Sequence, residues 1–185
     1  FTETESFEAL VKLNDAIKNK LNVVVFDNGA VDYSDLDLLL PFHSFTYLYN
    51  SDHKERGTRI AYETSRSLSE DEWMMLLDDD TCLTENYLIA LFSELESEGR
   101  DSDIVAYCAT IYDGEAQISP TASETLDMLL YPREAGTYHQ DISGISSTLT
   151  LNRSFLEKIG GFTKEFPLDY LDHWLFSKII SSHKK

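Results

Sequence analysis

The chain is poor in cysteine and in basic residues, and it has no long apolar run. Its two cysteines, Cys82 and Cys108, form no C-x-x-C pair, and both sit in apolar stretches. That pattern argues against a disulfide framework and suits a reducing cytosol. Fifteen Lys and Arg stand against 33 Asp and Glu, for a formal net charge of −18. A general nucleic-acid binder needs a basic face, and so does a protein that docks on anionic lipid; neither is expected here. No apolar stretch approaches the roughly 18 residues that read as a membrane span. No basic-then-apolar leader opens the chain. The first residue is Phe1 and helical spacing sets in almost at once, so the sequence reads as a fragment or as lacking an N-terminal piece. No repeat, low-complexity tract or linker divides it, and one domain over residues 1–185 is expected.

What is present is an ordinary globular composition, 42% hydrophobic and 26% charged, with a recurrent alternation of helix and strand patterns. Residues 4–20 place Phe7, Leu10, Val11, Ala16 and Ile17 near one helical face, with Thr2 and Glu5 as a capping box. NVVVFDNG reads as a buried strand ending at Asp27, with Asn28-Gly29 as its turn. FTYLYN (45–50) is a second strand. Residues 55–69 carry helical spacing through Ile60, Ala61 and Leu68, with Gly57 near the start. WMMLLD is a third strand. Residues 84–98 form an amphipathic helix capped by Thr84, with Leu88, Leu91, Phe92 and Leu95 as its stripe. IVAYCATIY (104–112) is a fourth strand.

Residues 113–143, with Pro120 and Pro132, read as an excursion containing a short helix at 123–130. ISGISSTLTL follows as a strand. Asn152 then caps the helix RSFLEKIG, which Gly160-Gly161 closes. In FPLDYLDHWLFSKIISS, Leu168, Leu171, Leu175 and Ile179 share one face, and Asp169, Asp172 and His173 lie on the other side of the first turns. Strands alternating with helices predict an α/β fold, a mostly parallel sheet flanked by helices. Ligands of such sheets bind at the carboxyl ends of the strands. Asp27 and Asp78–Asp80 fall there.

Asp78, Asp79 and Asp80 end the apolar run WMMLL, where three like charges repel one another and resist burial. Carboxylates so placed make a hard-oxygen site suited to Mg²⁺ or Mn²⁺ with substrate phosphates. The plainer reading is a solvated acidic turn that begins the next helix.

In order along the chain, four segments resemble those of family 2 glycosyltransferases of GT-A fold, particularly the rhamnosyltransferase-like members. NVVVFDNGA is similar to their second strand. FTYLYNSDHKERGTRIAYE is similar to the segment bearing N-x-G-x-A-x-A-x-N. WMMLLDDDTCL is similar to the D-x-D metal motif. SGISSTLTLNRSFLEKIGGFTKEFPLDYLDHWL is similar to the acceptor-side segment, where G-G-F leads to an acidic helix. The resemblance spans about residues 5–180. It implies a Rossmann-like GT-A domain incomplete at both ends, and a metal-dependent inverting transfer of a sugar from a UDP or dTDP donor to a glycan or lipid-linked acceptor. It places the protein in the cytoplasm, with the full-length form at the inner face of the membrane. By position, Asp27 would approach the base or ribose, Asp78 and Asp79 the nucleotide-sugar, and Gly144 the acceptor region. Asp80 and Asp78 would ligate Mg²⁺ or Mn²⁺. Asp172 would be the general base, with Asp169 as second candidate; helix N-terminal acid is the structural alternative for both.

His173 would tune the base, and Tyr170 and Trp174 would stack on a sugar or, for Trp174, fill the core. Cys82 is expected to be small and buried. Three departures stand out: the family's first strand precedes the point where this chain begins, the family continues beyond the acidic helix, often with a metal-binding His, whereas this sequence stops at Lys185, and Glu63 replaces the second Asn of the pattern. A non-catalytic GT-A-like module within a synthesis complex is the rival reading. A haloacid-dehalogenase-like phosphatase is disfavoured because Thr81 falls one place early for D-x-D-x-T/V.

Overall fold

The computed structural model describes residues 1–35, 40–51, 56–97, 101–122 and 131–185. The short helix expected at 123–130, the start of the helix expected at 55–69 and the end of that at 84–98 lie outside those residues. The fold is α/β. Its sheets, however, are small and mixed, not one mostly parallel sheet. Strands β1 (Asn22–Asp27) and β2 (Ser44–Tyr49) pair in parallel. Strand β3 (Trp73–Met75) and the two-residue β4 (Ala106–Tyr107) flank β7 (Thr150–Asn152), both antiparallel to it. Strands β5 (Ile111–Asp113) and β6 (Ala116–Ser119) form a hairpin around Gly114, which joins the end of the strand read at 104–112 to the stretch read as an excursion.

The expected strands at 104–112 and 142–151 are cut short for local reasons. Val105 and Ala106 donate their backbone N–H groups to Lys185 O at 2.7 and 3.2 Å, so this segment is bonded to β7 on one side and to residue 185 on the other. Further on, Ala109 N–H turns to the Thr148 hydroxyl. Thr148 itself has φ of 68°, and Leu149 N–H closes a turn onto Ser146 O, so extended structure resumes only at Thr150.

The helix read at 4–20 is two helices, α1 (Glu5–Lys12) and α2 (Asp15–Lys18). Asn14 interrupts it. Its side chain caps α2 through Ile17 N–H, while its backbone N–H and side-chain amide donate to Glu85. The α1 cap is Thr4, whose hydroxyl accepts from Phe7 N–H, and not Thr2. Val11 is exposed, and Leu13 at the break is buried instead. In α3 (Thr58–Leu68), Arg59 and Tyr62 are the buried residues, while Leu68 is exposed. Helices α4 (Glu85–Leu95) and α5 (Arg153–Lys158) are capped by Thr84 and Asn152 as expected. Gly160 and Gly161 follow α5 at φ of 87° and 76°. The last helix, α6 (Leu171–Ser181), begins after Leu168, which is exposed and not part of the stripe; Leu171, Leu175 and Ile179 are buried as that stripe requires.

The segment 73–77 is apolar throughout because both its faces are covered. Successive side chains of an extended chain point to opposite faces. Met74 and Leu76 belong to a core with Tyr62, Leu149, Leu151, Phe155, Leu156, Leu171 and Leu175. Met75 and Leu77 pack on a second core with Leu13, Ile17, Leu83 and Leu88. Leu76, Leu149, Leu151, Leu156 and Leu175 are at most 1% exposed. Burial of such a side chain stabilises by about 1.5–3 kcal/mol. The alternation carries Asp78 onto the side of α3 and α6, and it directs Asp79 the other way.

Candidate functional site

The strand read as WMMLLD ends at Met75, and three residues beyond it Asp78 Oδ1 accepts a hydrogen bond from the Tyr62 hydroxyl at 2.9 Å. That hydroxyl also lies 3.4 Å from Ser146 Oγ. Tyr62 is 7% exposed, and its ring packs against Phe162 at 5.6 Å between centroids. Burial raises the Asp78 carboxyl above its ordinary range. The Tyr62 bond opposes that rise, and the charges of Asp80, Asp79 and Asp172 add to it. The Tyr62 phenol is raised too, chiefly by burial and then by Asp78, with Asp172 contributing. Asp172, in the first turn of α6, is the smallest of these influences on both groups.

The acidic turn is pinned from two sides. Ser6 of α1 donates its hydroxyl to the carbonyl of Asp78 and accepts from Thr81 N–H at 3.0 Å. Ser147 accepts from Asp78 N–H at 3.2 Å and pairs with the Thr81 hydroxyl at 2.6 Å. Asp79 and Asp80 are exposed, and Asp79 O accepts from Ser6 N–H. Sequence reasoning missed Tyr62, Ser6, Ser146, Ser147 and Thr81. The available signals were a tyrosine on the inner face of α3 and the hydroxyl run SGISST.

The other candidate residues are elsewhere or otherwise engaged. Asp27 is buried at the end of β1, and both oxygens are taken: Oδ1 accepts from Gly29 N–H at 2.7 Å and Oδ2 from the Tyr47 hydroxyl at 2.8 Å. It closes the Asn28-Gly29 turn. Gly144 is a packing position, where an added Cβ would lie 3.0 Å from both Phe176 Cζ and Ser119 Oγ. Asp169 precedes α6 and is exposed; it is not one turn earlier on the same helix. Tyr170 is 67% exposed with φ of 64° and meets the His173 ring at 5.9 Å. His173 Nδ1 lies 3.3 Å from Ser143 Oγ. Trp174 packs on the core, with Lys178 over its ring at 5.7 Å. Cys82, expected buried, is exposed.

Glu63 has a structural task. It accepts from Phe162 N–H at 3.1 Å and is paired with Arg66, so it ties α3 to the Gly160-Gly161-Phe162 turn. A second tie joins α3 to the segment entering α6. Arg59 N–H donates to Pro167 O, and the Thr58 hydroxyl donates to Leu168 O. Gly57, at φ of 139°, is required there, because a Cβ would stand 2.4 Å from Pro167 O. The start of α3 is thus held to the segment that leads into α6.

Among the described residues, no three His, Cys, Asp or Glu side chains converge as a metal cluster. Asp78 and Asp80 are hard-oxygen donors, but together they fall short of the six ligands Mg²⁺ prefers. Two carboxylates do not by themselves make a resident structural metal site. Comparison with family models, with curated proteins and with solved structures finds no match for this chain.

Proposed function

We propose that the protein is an inverting glycosyltransferase of GT-A type that moves a sugar from a UDP- or dTDP-linked donor to a glycan or lipid-linked acceptor. The observation that carries this reading is the Asp78 carboxylate, half-buried just beyond β3 and held through one oxygen by the Tyr62 hydroxyl, with Asp79 and Asp80 exposed beside it. Asp78 lies three residues beyond β3 and Asp172 in the first turn of α6, and Asp172 is the smallest of the influences that raise Asp78 and Tyr62. A carboxylate for the donor and a second carboxylate nearby for the acceptor are the minimum for such a transfer.

Asp172 would take the proton of the acceptor hydroxyl while that oxygen bonds to the anomeric carbon. The bond from that carbon to the nucleoside diphosphate breaks with inversion. Asp78 would orient the donor. A Mg²⁺ or Mn²⁺ ion held by Asp80 and Asp78 would neutralise charge on the departing diphosphate. Fixed geometry and electrostatic complementarity supply the rest of the acceleration. By the same reading the full-length protein works at the cytoplasmic face of a membrane, on a polysaccharide or glycolipid. Among the described residues no helix is long and apolar enough to cross a membrane.

A binding module without catalysis is the second reading, and the closed-off carboxylate of Asp27 favours it. Calorimetric titration of UDP-, dTDP- and GDP-sugars into the full-length protein, with and without Mn²⁺, tests both. Mn²⁺-dependent affinity that disappears in Asp80→Ala is the expected result, and sugar transfer separates enzyme from module. Unchanged affinity in Asp80→Ala would remove that residue from the site and return the triple aspartate to an ordinary acidic turn.

A further inference from the structure

We propose that Tyr62 is a positioning residue of this site, whose hydroxyl holds Asp78 in the orientation that meets the donor. The proposal rests on the glycosyltransferase reading and extends it to a residue that touches no substrate.

Four observations carry it. The Tyr62 hydroxyl is 2.9 Å from Asp78 Oδ1, a good hydrogen-bond distance for a phenol and a carboxylate. The ring is fixed by burial in the larger core and by the Phe162 contact, so the donor itself cannot wander. The backbone on either side of the carboxylate is pinned by Ser6 and Ser147, which leaves the Asp78 side-chain torsions as the remaining freedom. Finally, the adjacent Asp79 and Asp80 carry the same charge as Asp78, so without a donor its carboxylate would be free to rotate away from them. Tyr62 opposes that rotation. It takes Oδ1 and, among the described residues, no hydrogen bond reaches Oδ2, which is the oxygen left for a ligand.

The chemistry also explains why a phenol serves here. A Lys or Arg would hold Asp78 more strongly but would cancel the negative charge that a divalent cation needs. A neutral donor fixes the carboxylate and keeps its charge. Ser146, at 3.4 Å from the same hydroxyl, is a weaker partner that orients the phenol.

The test is Tyr62→Phe in the full-length protein, with Ser146→Ala beside it. Phenylalanine keeps the ring and its packing, so the melting temperature should stay within a few degrees of wild type. The KM for the donor sugar nucleotide should rise roughly ten- to a hundredfold, the worth of a hydrogen bond to a charged group. The KM for the acceptor should stay unchanged, and Mn²⁺ affinity read by electron paramagnetic resonance of the free ion should fall in parallel. Ser146→Ala should show the same pattern at a few-fold. Equal donor KM and equal Mn²⁺ affinity in Tyr62→Phe, with wild type active, would overturn the role of Tyr62 and leave the glycosyltransferase reading standing. A wild-type protein that binds no sugar nucleotide would overturn that reading, and this role with it.

Discussion

Asp172 and Asp169 differ by three positions and by their relation to the fold. Asp172 lies in the first turn of α6, next to the buried Leu171, and its charge is felt at Asp78. Asp169 is exposed on the segment before the helix. Replacing Asp172 by Asn keeps size and removes the basic charge. Turnover should fall by roughly 10²–10⁴, the usual contribution of a general base, with donor affinity nearly intact. Asp169→Asn should change turnover little; the opposite ranking in a steady-state assay would move the base to Asp169. The two cysteines offer a second contrast at this scale. Cys82 is exposed, while burial pushes the Cys108 thiol up to about 11. At pH 8 the Cys108 thiol therefore stays protonated, and the thiolate is the reactive form. Iodoacetamide on the native protein should alkylate Cys82 and spare Cys108, and mass spectrometry of the peptides would show it.

Among the elements, α3 gathers more of the fold than its length suggests. Its start is bonded to the Pro167-Leu168 segment, its middle holds Tyr62, and Glu63 reaches the turn after α5. Gly161 sits at φ of 76°, and an added Cβ would come 2.7 Å from Glu63 Oε2. Gly161→Ala should therefore cost about 1–3 kcal/mol from backbone strain alone, read as a lower urea midpoint. The Glu63 carboxyl has a clear pH signature. Burial pushes it up, but the Arg66 hydrogen bond, the Phe162 N–H and the charges of Arg66 and Arg59 outweigh that, and the net direction is down from 4.5. A carboxyl depressed in the folded state stabilises above its unfolded value, and that stability is lost as pH falls through its folded value. Between pH 6 and pH 3 the wild-type melting temperature should drop further than that of Glu63→Gln. Parallel curves would mean that the tie contributes nothing.

The whole molecule carries −18 at neutral pH, with acidic side chains well in excess of their possible partners. Among the described residues, the Lys12–Glu8 and Lys20–Glu96 pairs are exposed at both ends and contribute about 0–1 kcal/mol each. Self-repulsion of the remaining charge disfavours the compact state, and salt screens it over roughly 8–10 Å near physiological strength. Raising NaCl from low to moderate concentration should raise the melting temperature by a few degrees. A fall with salt would show that attractive pairs outweigh the net repulsion.

The sequence by itself determined the local elements whose cause is local. Thr84 and Asn152 cap α4 and α5 because a short oxygen-bearing side chain one residue before a helix satisfies a free N–H wherever the chain goes. The strand NVVVFD and the glycines after α5 were legible for the same reason. The acidic turn after WMMLL was legible too, because an apolar run covered on both faces must stop where charge begins. Tertiary structure decided the rest. The break at Asn14 depends on Glu85, which is remote in sequence. The late start of the strand read at 142–151 depends on the left-handed Thr148, a conformation that a threonine adopts only when surroundings impose it. Asp27 and Asp78 look alike at strand ends, yet Tyr47 and Gly29 close one off while Tyr62 leaves the other with an open oxygen among the described residues. No spacing rule encodes that difference, because a hydrogen bond between α3 and β3 exists only after both have packed on the same core.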